Sequence, residues 1–95
     1  MITMDIKAPY EANHIESTTH IEISLFGDTY TVKDRIKELG FYWDGGQWYY
    51  LVTREWFKAN GYNFARSIAL EFGIKKNGLN VIGEQAKIAM RTMDK

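Results

Sequence analysis

Ninety-five residues suit one domain and are too few for two separate cores. A formal charge of zero excludes both a strongly basic nucleic-acid footprint and a heavily acidic nucleic-acid mimic. The absence of cysteine excludes a disulfide framework and any thiolate-bound metal.

The charge is unevenly spread. Residues 1–31 hold one lysine against five acids, whereas residues 32–95 hold eleven basic residues against seven acidic ones. The start, Met1-Ile2-Thr3-Met4-Asp5, lacks the pattern of a secretory signal, and no apolar run approaches the roughly 20 residues of a membrane span. The expectation is a cytoplasmic protein without a membrane partner. Aromatic residues make up 15% of the chain, more than so small a core readily absorbs, so some rings should be exposed, compatible with a contact surface or a homodimer.

In chain order, residues 1–18 read as a polar N-terminal arm, with the only proline, Pro9, in the loop-like stretch 8–19, and residues 19–95 as a single α+β domain. Ile21, Ile23 and Leu25 alternate with His20, Glu22 and Ser24, the period of a half-buried strand. Gly27-Asp28 turns the chain, and Thr29-Tyr30-Thr31 can return as a short strand. Thr31 suits the cap of a helix bearing Val32, Ile36 and Leu39 inward, with Lys33, Arg35, Lys37 and Glu38 outward, and Gly40 ends it. Phe41-Tyr42-Trp43 and Trp48 to Val52 flank Asp44-Gly45-Gly46-Gln47 as a hairpin. Thr53 caps a second short helix with Trp56, Phe57 and Ala59 inward, closed by Asn60-Gly61. Residues 63–72 form a helical stripe closed by Gly73, and Glu84 to Met93 a last helix. The competing pattern is a hairpin around Asn77-Gly78, with Ile68, Leu70, Phe72 and Ile74 on one arm and residues 79–82 on the other. The predicted architecture is α+β, a small antiparallel sheet with two to three short helices packed on one face.

The most informative stretch runs from Val32 to Tyr49. A lysine-bearing helix with Lys33 and Lys37 ends in Leu39-Gly40, followed by Trp43-Asp44, a tight turn and Trp48-Tyr49. In these residues the chain resembles a small domain of unknown function found beside primases, helicases and other DNA-processing proteins of phages and plasmids. More distantly, it is similar to the DNA-binding HARP module of annealing helicases. Its turn is shorter than the usual form and lacks a basic residue near the tip. The resemblance implies an α+β fold and a role in nucleic-acid transactions of a mobile element.

Trp43, Trp48 and Trp56 read as structural rings, and alternation puts Tyr42 and Tyr49 on the face opposite the first two, as candidates for exposure. Rings beside ammonium groups can stack on bases while the lysines meet phosphates. Lys33, Lys37, Tyr42, Tyr49 and Arg54 are accordingly the candidate contacts to DNA or RNA. The rival reading is a phage inhibitor of a host defence complex, comparable to an anti-CRISPR protein, that docks on a host protein complex; neutral charge and small size favour it.

Ala65, Ile68, Ala69, Phe72, Gly73, Ile74, Leu79 and Ile82 also match helix-turn-helix spacing, although Gly78 falls inside the recognition helix. Catalysis has little to build on. His14 and His20 lack an acid cluster, Ser17, Ser24 and Ser67 sit in no nucleophile elbow, and Asp44-Gly45-Gly46 is too short to cradle phosphates. The expectation is a non-enzyme with no cofactor and no metal.

Overall fold

The computed structural model describes residues 1–93. Strands β1 (Ile2–Lys7), β2 (His20–Gly27), β3 (Tyr42–Asp44), β4 (Gln47–Thr53) and β5 (Leu79–Ile82) form one sheet in the order β3-β4-β2-β1-β5. Every pairing is antiparallel except β1 with β5, which is parallel. Helices α1 (Lys33–Glu38), α2 (Arg54–Phe72) and α3 (Glu84–Met93) complete the fold. The class is α+β as expected, but the sheet is mixed rather than wholly antiparallel.

The core lies on one sheet face. Ile2, Met4 and Ile6 from β1, Ile21, Ile23 and Leu25 from β2, and Trp48 and Val52 from β4 are buried there. The β2–β4 register places Leu25 beside Trp48, Ile23 beside Tyr50 and Ile21 beside Val52, so one continuous apolar layer meets the helices. Helix α2 lies over β2 and β4, and α3 over β1 and β5. Phe57, Ala65 and Ile68 of α2 are buried, as are Ala86 and Ala89 of α3. A ring cluster of Phe41, Tyr50, Trp56 and Phe64, with centroids 5.1–6.3 Å apart, seals the β4 side and accounts for Trp56 as a structural residue.

Several expectations are corrected. Residues 1–18 are not simply an arm, because Ile2–Lys7 is an inner strand paired on both sides. Thr29-Tyr30-Thr31 forms no strand. Tyr30–Val32 is a 3₁₀ turn, and α1 begins after Val32 with no side-chain cap from Thr31. Asn60-Gly61 does not end a helix: α2 runs through it for 19 residues, with Ala59 exposed, and stops at Gly73 in the left-handed conformation at φ 67°. Gly61 survives in the interior because the Phe57 ring lies where its Cβ would be, 2.5 Å away.

The hairpin around Asn77-Gly78 does not form. Lys76–Gly78 is a 3₁₀ turn, and Leu79–Ile82 pairs with β1 instead. Because that segment is a strand, no helix-turn-helix exists here. Thr53 does cap α2, its hydroxyl accepting from the Trp56 N–H at 3.1 Å. The β3–β4 turn is the two-residue type in which Gly45 (φ 59°) and Gly46 (φ 93°) both take positive φ.

Candidate nucleic-acid interface

The groove begins with Trp48. Its ring is buried on the core face, and its Nε1–H donates to the Thr29 hydroxyl at 3.2 Å. That bond draws the segment after β2 against the hairpin and places the 3₁₀ turn and α1 beside β3. Trp43 pairs with Trp48 across the β3–β4 ladder, their ring centroids 5.1 Å apart in an edge-on arrangement with the planes at 63°. Since β3 is a three-residue edge strand, Trp43 remains 55% exposed. Tyr30, 73% exposed, stands on the 3₁₀ turn with the Lys33 ammonium 4.2 Å from its ring centroid.

Between these parts lies a groove of about 470 Å³ lined by Asp28, Tyr30, Lys33, Lys37, Trp43 and Trp48, among others. Its lining holds two lysines against one acid, together with two exposed rings. Such a groove can accept a planar ring and hold an adjacent phosphate. Arg35, on the same short helix, is occupied elsewhere. It donates from Nε to Glu71 Oε2 at 2.7 Å and from Nη2 to Glu71 Oε1 at 3.2 Å, tying α1 to the end of α2. The hydrogen bonds and charge of Arg35 hold the Glu71 carboxyl below the usual carboxylate range, and Glu71 raises the guanidinium further.

The sequence candidates therefore separate. Lys33 and Lys37 line the groove, and Trp43, read from sequence as structural, joins them as an exposed ring. Tyr42 and Tyr49 sit side by side on the opposite sheet face, centroids 5.8 Å apart, with Tyr42 52% exposed. Arg54 is at the far end of β4 in a second hollow of about 430 Å³, with His20, Thr53, Glu55 and Lys58. Tyr30 was missed because its segment reads as a strand, whereas its three-residue spacing from Lys33 was the available signal.

The face opposite the helices bears Tyr42, Tyr49 and Leu51 among acids. Asp5 accepts from Asn80 at 3.0 Å, and Glu22 pairs with Lys7 at 3.8 Å. Among the described residues, no three His, Asp or Glu side chains are grouped to hold a metal, and no helix is long and apolar enough to cross a membrane. No family model, curated protein or solved structure matches the chain at a significant level.

Proposed function

We propose that this chain is a non-enzymatic, cytoplasmic accessory protein of a phage or other mobile element that binds single-stranded nucleic acid in the Tyr30–Trp43 groove. Tyr30 and Trp43 stack on bases, and Lys33 and Lys37 neutralise phosphates. One observation carries the reading: two exposed rings and two lysines line a single groove on a chain with no net charge. A base is planar and single strands leave its faces free, so stacking needs no sequence-specific edge contacts. The mobile-element setting rests on the resemblance of the Val32–Tyr49 stretch alone.

Fluorescence anisotropy of a labelled single-stranded oligonucleotide over a salt series tests this. Affinity should fall steeply with salt, and the Lys33→Ala/Lys37→Ala variant should flatten the log–log slope by about 1.4, two phosphates at about 0.7 each. An unchanged slope would reject the groove. Tyr42→Ala should bind as the parent does.

The second reading, inhibition of a host defence complex by protein docking, draws on the other sheet face. Tyr42 and Leu51 are about half exposed there, with Glu22 opposite Leu51, Asp44 two residues along β3 from Tyr42, and Asp5 farther across the sheet on β1. On that reading Tyr42→Ala abolishes capture of the host complex, while Lys33 and Lys37 are dispensable.

A further inference from the structure

The hollow at the far end of β4 is a separate site. Trp48, in the groove, and Thr53, in the hollow, lie five residues apart on β4, about 17 Å along an extended strand. Arg54, Lys58 and His20 line the hollow together with the hydroxyl-bearing Thr18 and Thr19, and the acid there is Glu55. One guanidinium, one ammonium and an imidazole thus share this hollow with a single carboxylate. Arg54 Nε–H is shielded from solvent and makes no hydrogen bond, although a buried donor on a charged group is costly to leave without an acceptor. His20 Nδ1 is engaged with the Thr19 hydroxyl at 2.9 Å, which orients the ring. At the start of α2 the Arg54 N–H already donates to the Thr19 carbonyl at 2.8 Å and the Trp56 N–H to the Thr53 hydroxyl at 3.1 Å.

We propose that this hollow is an oxyanion site that binds a phosphate group, with Arg54 and Lys58 as its charged donors and His20 as a further donor. A tetrahedral anion presents several acceptor oxygens and suits donors converging from different elements. The site stands independently of the groove. Its phosphate can belong to a nucleic-acid backbone or to a free phosphomonoester.

The test is an NMR titration of the ¹⁵N-labelled protein with inorganic phosphate at constant ionic strength, with chloride as the control. Saturable shifts are expected at residues 18–20 and 53–58. Lys58→Gln, a change at an exposed side chain, should weaken binding roughly tenfold, as expected for one charge-assisted hydrogen bond. Arg54→Gln should weaken it at least as much, and Lys33→Ala/Lys37→Ala should leave it unchanged. An oligonucleotide without terminal phosphates, added in that Lys33/Lys37 background, distinguishes the sources: the same shifts mean a backbone phosphate, and none mean a phosphomonoester. Shifts that grow linearly, that chloride reproduces, or that persist undiminished in Lys58→Gln would overturn the proposal.

Discussion

The Glu16 carboxylate accepts from the backbone N–H of Glu84 at 3.1 Å and 3.3 Å and from that of Gln85 at 3.3 Å. It therefore caps α3 from a loop 68 residues earlier in the chain and places a negative charge at the positive end of the helix dipole. Gly83, at φ 89°, admits it, since a Cβ there would overlap the carboxylate. Glu16→Ala should cost about 1 kcal/mol in urea denaturation, with Glu16→Gln recovering part of it. An unchanged midpoint would mean that the cap contributes nothing. No local pattern announces a cap supplied from so far away. The candidate interface was half legible for a similar reason. Alternation correctly separates Tyr42 and Tyr49 from Trp43 and Trp48, but it does not say which face the helices cover. Trp43 shares the core face and is still exposed, because it lies on the outermost strand.

Helix α2 is one element because Gly61 has a packing role that outweighs its reputation as a stop. Replacing an interior glycine with alanine ordinarily gains about 1 kcal/mol of helix propensity. Here the new methyl would press on the ring of Phe57, which is fully buried in the core. Overpacking of this kind costs about 1–3 kcal/mol. Gly61→Ala should therefore lower the melting temperature, and a rise would show that the ring moves freely.

The Arg35–Glu71 pair fastens α1, and with it Lys33 and Lys37, to the rest of the fold. Because the Glu71 carboxyl is lowered in the folded state, its contribution is present above the unfolded carboxylate pKa and lost as pH falls through the depressed folded value. The exposed, solvent-screened pair makes that contribution modest. Glu71→Gln should be less stable than the parent at about pH 6 in chemical denaturation, with the gap narrowing as the pH falls below the ordinary carboxylate range. A gap that stays constant with pH would contradict the pairing. At this scale β2, the β3–β4 hairpin, the Thr53 cap and the Gly73 stop are readable from local periodicity and turn chemistry. β1 was within reach, since Ile2, Met4 and Ile6 alternate as Ile21, Ile23 and Leu25 do. Its parallel union with β5 was not, because that register joins residues some 75 positions apart, as Asp5 with Asn80.

At the scale of the whole molecule, the sheet separates two surfaces of different character. Beside the helices is a lysine-and-ring groove, and on the other face is a tyrosine-and-leucine surface among acids. A neutral total charge conceals this division. Trp43 offers an internal reporter, because Trp48 is buried and Trp56 is packed in the ring cluster. The decisive measurement is tryptophan fluorescence during titration with an unlabelled single-stranded oligonucleotide. Stacking on Trp43 predicts saturable quenching in the parent protein that is largely lost in Trp43→Phe. No quenching, or quenching that survives intact in Trp43→Phe, would contradict binding in this groove.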